Sequence, residues 1–112
     1  MKFTLKAFII LSATLFTGHA AAFSISAIGK VTYIENGWFG EGVAIHMSSG
    51  TAGCPAGDTD YAVEASHPAY KEIVALATSA FVAAINVEIV TATGSCAFGD
   101  RNKILSIRLI KG

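Results

Sequence analysis

The sequence has no run of basic residues, only two cysteines and a single tryptophan. Nucleic-acid binding depends on clustered lysine and arginine side chains, so nucleic acid is not expected as a partner. A basic amphipathic face is also missing, which argues against binding to a membrane surface. Neither Cys54 nor Cys96 has further ligands at zinc-like spacing, so no metal and no cofactor is expected.

The first 22 residues have the layout of a secretory signal peptide. Lys2 and Lys6 precede a mostly apolar run at 7–16, and small residues close the segment at Ala20–Ala22. The alternative is a membrane anchor, but a spanning helix needs about 20 apolar residues, roughly twice this run. Cleavage after Ala22 would leave one small domain, residues 23–112, in the periplasm or outside the cell. Without the two leader lysines, this domain has six basic and eight acidic residues, a net charge of −2.

One disulfide between Cys54 and Cys96 is expected, because an even pair of cysteines in an exported chain favours a disulfide. It would close a loop of about 43 residues, worth roughly 4 kcal/mol by chain entropy. Small domains have cores of marginal size, so this is a large part of a stability of roughly 5–15 kcal/mol. The alternatives are a metal pair or a reactive thiol.

Alternating apolar residues and β-branched residues predict five strands. The clearest is Gly42–Met47, in which Val43, Ile45 and Met47 share one face. An Asn-Gly turn at 36–40 joins it to the strand before it, as in a hairpin. In the last strand, Leu105, Ile107 and Leu109 are predicted to face the core. The predicted strands are Gly29–Glu35, Gly42–Met47, 60–65, 85–92 and 103–110, and a turn at 93–102 carries Cys96.

Apolar residues at helical spacing predict one helix over Pro68–Ala84, with Ser66 as its N-cap. The order is then β-β-β-α-β-β. A mainly β chain of this order matches the small five-stranded barrel of the oligonucleotide/oligosaccharide-binding (OB) fold. An open or strongly curved α+β sheet is the alternative, because order alone does not establish closure.

Four short motifs resemble those of small exported bacterial proteins of unknown function and of the B subunits of subtilase-cytotoxin-type AB toxins. These motifs are Gly50–Cys54, Val87–Ile89, Gly94–Cys96 and Ser106–Leu109. The resemblance implies a disulfide-bonded OB-like barrel that assembles into a pentameric ring and binds host glycans. It transfers no individual sugar-contacting residue to this chain.

No catalytic residue is predicted. His46 lies on the more polar face of a strand and His67 precedes Pro68 at a helix start, where histidines are commonly surface or capping groups. No nucleophile turn of the G-x-S-x-G kind is present. Asp58 and Asp60 offer fewer oxygen ligands than a calcium site needs. The sequence therefore indicates a protein that is not an enzyme.

Trp38 and Phe39 stand next to each other in a turn with three glycines, Gly37, Gly40 and Gly42. One interpretation places one of these rings over the core, since aromatic side chains dominate small cores. The other makes the pair a contact surface, because the loop between strands one and two binds ligands in OB barrels.

Three functions follow from these features. The first is a secreted or periplasmic binding module that recognises a glycan or a surface protein through Trp38 and Phe39. The second is a structural or interaction subunit of a secreted complex, which could be a homo-oligomer. The third is a small secreted enzyme or inhibitor, and an inhibitor would use a rigid loop near the disulfide, at 51–60.

Overall fold

Five strands and one helix follow one another in the predicted order. The computed structural model describes residues 24–111, so the predicted signal peptide and its cleavage site after Ala22 lie outside the described residues. The elements are β1 (Ser24–Asn36), β2 (Gly42–Met47), β3 (Asp60–Glu64), α1 (Tyr70–Ala83), β4 (Asn86–Ala97) and β5 (Arg101–Ile110). In the part of the chain described, no helix has the length and apolar character needed to cross a membrane.

The sheet closes on itself as a barrel in the order β1-β2-β3-β5-β4, which confirms the OB-like fold over an open sheet. Strand β1 makes closure possible because it is long enough to pair twice. Its first half, 24–30, pairs with β4 and its second half, 31–36, pairs with β2. All neighbouring strands are antiparallel except β3 and β5, which run parallel.

The core lies inside the barrel and under α1. The alternation predicted for β2 is confirmed, since Val43, Ile45 and Met47 are all buried. Burying one such side chain contributes about 1.5–3 kcal/mol, which makes this cluster the main source of stability. Its members are Ala27, Val31, Val43, Ile45, Met47, Tyr61, Val63, Ile73, Ala77, Ala80, Val87, Ile89, Ile104 and Ile107.

The parallel contact between β3 and β5 is the shortest seam of the barrel. It contains two partnered pairs, Tyr61 with Asn102 and Ala62 with Lys103. The predicted disulfide is confirmed next to it: Cys54 and Cys96 are bonded, with their Cα atoms 5.9 Å apart. Cys96 lies within β4 rather than in the predicted turn, and its cross-strand partner is Asn102. The disulfide therefore attaches the β2–β3 loop to the strands beside the seam.

Asn102 holds the same loop from the other side. Its side-chain amide nitrogen, in a buried position, lies within hydrogen-bond distance of four backbone carbonyl oxygens. The distances are 3.2 Å to Thr51, 3.2 Å to Gly57, 3.5 Å to Asp58 and 3.1 Å to Asp60. An amide group has two N–H donors, so these carbonyls share them. One side chain of β5 thus gathers four carbonyls of the loop, of which those of Gly57 and Asp58 also accept backbone N–H groups within the loop.

Helix α1 begins at Tyr70, two residues later than predicted, and Ser66 is not its N-cap. The N-cap residue is Ala69, which has no side-chain cap. His67 does the anchoring instead. Its Nδ1 accepts a hydrogen bond from the Ala69 N–H at 2.9 Å, and its Nε2 donates to the Leu105 carbonyl at 3.1 Å. The imidazole thereby ties the start of the helix to β5.

The predicted inward position of Leu105 is wrong, because β5 contains an irregularity there. Val90 of β4 pairs with Ser106, but the next residue, Thr91, pairs with Ile104, so the register skips Leu105. The skipped residue turns outward and is 38% exposed, whereas Ile104 is buried. An extra residue in one strand reverses the alternation that the sequence pattern assumes.

We expect Ala84→Gly to raise the free energy of unfolding by about 1 kcal/mol. Ala84 ends α1 in the left-handed conformation, with φ 54° and ψ 39°, and it is exposed. Glycine adopts this conformation without the steric cost that a Cβ brings, and no packing is lost. Urea unfolding of both proteins measures the difference. Ala83→Gly, one position earlier and inside the helix, is the control and should lower stability by about 0.5–1 kcal/mol. A neutral Ala84→Gly would contradict the strain argument.

Asn102→Ala is expected to lower the free energy of unfolding by about 1–3 kcal/mol, because buried carbonyls lose their donor. Asn102→Asp should cost more, since it points a carboxylate at those carbonyls. Asn36→Ala, at the exposed end of β1, is the control and should stay within about 0.5 kcal/mol of the parent. Denaturant unfolding under oxidising conditions checks all three. Equal stability of the Asp and Asn proteins would show that the amide does not hold the loop.

Candidate functional site

Residues 37–41, here called the aromatic turn, connect β1 to β2 and carry the two large side chains predicted as a ligand contact. Trp38 and Phe39 are each 91% exposed. The interpretation in which one ring covers the core is therefore wrong. Burial of such a side chain stabilises a fold by about 1.5–3 kcal/mol. Within the described residues, neither ring supplies this stabilisation.

The aromatic turn is held in one shape by hydrogen bonds at its base. The Gly37 N–H donates to the Gly42 carbonyl at 2.8 Å, which closes the turn. The Phe39 N–H donates to Glu41 Oε2, also at 2.8 Å, so a carboxylate folds back under the tip. Gly40 has φ +74°, a conformation that favours glycine. The two rings are consequently presented on a fixed backbone.

The β4–β5 turn reaches the base of the aromatic turn through Phe98. A Cβ built at Gly42 would lie 2.9 Å from Phe98 Cζ and would also collide with the Val63 carbonyl oxygen. Only glycine leaves room for this approach. Phe98 has φ 55°, an uncommon conformation for an aromatic residue. The β4–β5 loop, one of the ligand-binding loops of OB folds, therefore comes close to Gly42, where the aromatic turn joins β2.

A bulge in β1 turns two consecutive side chains to the outer face, the face of the sheet that points away from the core. Val31 pairs with Met47 and Tyr33 pairs with His46, so Thr32 is an extra residue in β1. Without the bulge, Tyr33 would share the inward face of Val31. With it, both Thr32 and Tyr33 meet His46 on the outside. Bulges commonly redirect side chains in this way beside functional sites.

Four side chains from four neighbouring strands form a continuous line, here called the outer row: Tyr33, His46, Asp60 and Arg101. Tyr33 stacks on His46 with ring centroids 4.6 Å apart and planes 10° from parallel. The Tyr33 hydroxyl donates to Asp60 Oδ1 at 3.4 Å, and His46 Nε2 lies 3.9 Å from the same oxygen. Arg101 lies beside Asp60, since the next pair along the two strands is Tyr61 with Asn102.

The ring of His46 is fixed through both of its nitrogens. Thr32 Oγ1 lies 2.7 Å from Nδ1 and donates its proton to the His46 carbonyl at 3.1 Å. On the other edge of the ring, Thr59 Oγ1 lies 2.8 Å from Nε2, and the tautomer sets which partner donates in each of these two contacts. The imidazole is thus a rigid support behind Tyr33.

Beside the outer row, the sheet surface is low because two alanines, Ala44 and Ala62, face each other across β2 and β3. Both are buried, at 3% and 0% exposure, yet they lie outside the core cluster. An ion pair joins strands on either side of them, with Arg101 Nη2 3.3 Å from Glu35 Oε1. Small side chains on the outer face let these long side chains lie across it.

Sequence reasoning identified Trp38 and Phe39 but not Tyr33, Asp60 or Arg101 as one group. The cross-strand register brings the latter three together, and it depends on the bulge and on barrel closure. The sequence contains one signal of this group: the apolar alternation of Val31 and Tyr33 breaks where Ile34 directly follows Tyr33. Within residues 24–111, no three histidine, cysteine or acidic side chains are grouped so that they could hold a metal ion.

The pKa of the Tyr33 phenol is raised above its ordinary value. Desolvation is the largest cause, followed by the negative charges of Asp60 and Glu35 and by the hydrogen bond to Asp60. The positive charge of Arg101 opposes these effects. The outer row therefore behaves as one electrostatic unit, in which acidic groups favour the neutral phenol.

Asp60→Asn is expected to lower the pKa of Tyr33, and Arg101→Met is expected to raise it. The first removes a negative charge that favours the neutral phenol, and the second removes the charge that favours phenolate. NMR titration of the tyrosine Cζ signals measures both shifts, and Tyr33→Phe assigns the signal. Lys71→Met, on the helix surface, is the control and should leave the titration unchanged. Shifts of the same sign in both variants would contradict this arrangement.

No family model, no curated protein and no solved structure matches this chain. The resemblance of its short motifs to toxin B subunits consequently stays a prediction. The aromatic turn and the outer row, together with the fold that carries them, are therefore the features on which a functional proposal is based.

Proposed function

We propose that this protein is an exported, non-enzymatic binding module that recognises a glycan through the aromatic turn. The observation that carries the proposal is the exposure of Trp38 and Phe39, 91% each, on a backbone that hydrogen bonds hold in place. A rigid aromatic surface loses little conformational entropy on binding, which favours affinity. Tryptophan and tyrosine are the side chains that most often anchor such contacts.

The position of the turn in the fold supports the same function. In OB barrels, oligosaccharides bind on the face of strands two and three, between the β1–β2 and β4–β5 loops. The aromatic turn is the first of these loops, and Phe98 of the second loop lies against its base. The resemblance of the four short motifs to those of toxin B subunits implies the same class of ligand.

Export is part of the proposal for two reasons. The predicted signal peptide at 1–22 would direct the chain out of the cytoplasm, and the Cys54–Cys96 disulfide suits an oxidising compartment. The disulfide then adds to the stability that a core of this size supplies. A small domain with this additional support tolerates the exposed side chains of the aromatic turn.

Trp38→Ala is expected to lower glycan binding by about tenfold or more, the effect of losing a contact worth roughly 1.4 kcal/mol. Binding is measured on a glycan array that holds neutral and acidic sugars. Val82→Ala, which removes a 78% exposed side chain from α1, is the matched control and should bind like the parent. Both variants should unfold within about 0.5 kcal/mol of the parent, because neither side chain is buried.

Two results would argue against the glycan proposal. One is the absence of array binding by the parent protein, and the other is unchanged binding after substitution of both Trp38 and Phe39. If the parent instead self-associates in sedimentation experiments and Trp38→Ala makes it monomeric, the turn serves an interaction subunit. That outcome would replace the glycan proposal with the second predicted function.

A further inference from the structure

We propose that Tyr33 is a platform for an uncharged sugar ring, flanked by the polar groups of Glu35, Asp60 and Arg101. This position lies on the outer face of β1, β2, β3 and β5, on the strand that leads into the aromatic turn. The inference rests on the proposed glycan-binding function. It adds a second position on the protein and a class of ligand, sugars without a negative charge.

The first argument is the rigidity of the Tyr33 ring. The imidazole of His46 covers one face of this ring at a centroid distance of 4.6 Å. Thr32 and Thr59 hold both imidazole nitrogens, so the support cannot rotate freely. Tyr33 nevertheless remains 42% exposed, and stacking on His46 occupies only one of its two faces. A flat apolar face that is fixed and exposed can stack on a sugar ring at low entropic cost.

The second argument is the set of polar groups around that face. Sugar hydroxyls both donate and accept hydrogen bonds, so they need carboxylate acceptors and strong donors close together. Asp60 touches the Tyr33 hydroxyl at 3.4 Å, and the Glu35–Arg101 pair lies on the same outer face. Glu35 and Arg101 are both partly exposed. An ion pair of this kind contributes about 0–1 kcal/mol, so its groups can turn to a ligand without a large loss of stability.

The third argument is the charge of the outer face, which selects against acidic sugars. Asp60 lies 3.9 Å from the His46 imidazole, which is charged only if protonated, and Glu35 pairs with Arg101 at 3.3 Å. Glu64 likewise pairs with Lys103 at 3.7 Å. An anionic ligand would have to take Arg101 or Lys103 from its acidic partner and would then face that carboxylate. Uncharged hydroxyls meet no such opposition.

The test uses lactose and sialyllactose, two sugars that differ by one anionic residue. NMR titration of the oxidised protein with each sugar gives the affinities, at about 0.05 M and about 0.5 M NaCl. We expect lactose to bind more tightly than sialyllactose, with little dependence on salt. Tyr33→Ala should weaken lactose binding about tenfold. Tyr33→Phe keeps the ring and should remain within about threefold of the parent, and Phe81→Ala, which removes a 46% exposed ring from α1, is the control.

The outcomes separate this inference from the function on which it rests. If Trp38→Ala weakens lactose binding and Tyr33→Ala does not, the platform is wrong and the binding module stands. Tighter, salt-sensitive binding of sialyllactose would overturn the charge argument in the same way. If Tyr33→Ala weakens binding and Trp38→Ala does not, the platform is supported and the aromatic turn is not the contact. Binding of neither sugar by the parent protein overturns the platform, and array binding of other glycans then decides the broader function.

Discussion

The barrel depends on how its shortest seam is closed. Strands β3 and β5 share two partnered pairs, too few to hold a parallel contact by backbone hydrogen bonds alone. The Cys54–Cys96 bond and the amide of Asn102 attach the β2–β3 loop to β4 and β5 next to that seam. Covalent and polar support at this point keeps Asp60 next to Arg101. The arrangement of the outer row is therefore a consequence of closure as much as of local sequence.

The bulge at Thr32 has a comparable effect on the other side of the same face. One additional residue in β1 moves Tyr33 from the core side of the strand to the solvent side, where His46 supports it. Closure of the seam and the bulge together place an aromatic ring, two carboxylates and a guanidinium on one surface. Their joint product is the surface on which the Tyr33 platform is proposed.

Much of the fold could be predicted from the sequence, because hydrophobic alternation is a local property. The inward positions of Val43, Ile45 and Met47, the strand order and the cysteine pair all follow from patterns within a few residues. The errors lie where distant elements decide the outcome. His67 replaces Ser66 at the start of α1 because a carbonyl of β5 lies within its reach. Leu105 turns outward because of its register with β4.

The candidate site was harder to predict for the same reason. Trp38 and Phe39 could be selected from composition and from the glycines around them, but two opposite environments fitted the pattern equally. Their exposure depends on whether the sheet curves under the turn. Tyr33, Asp60 and Arg101 lie far apart in the chain, and only the register of the strands reveals them as neighbours.

The hydrogen bonds at the base of the aromatic turn make its tip independent of the rest of the molecule. Gly37, Gly42 and the Glu41 side chain close the connection below the two rings, and the rings themselves touch none of the core. Exchanging the side chains at 38 and 39 changes what the surface offers to a ligand without altering the energetics of the barrel. Natural variation or laboratory selection can accordingly retune specificity at this loop while the scaffold stays the same, as happens in the hypervariable loops of other small β domains.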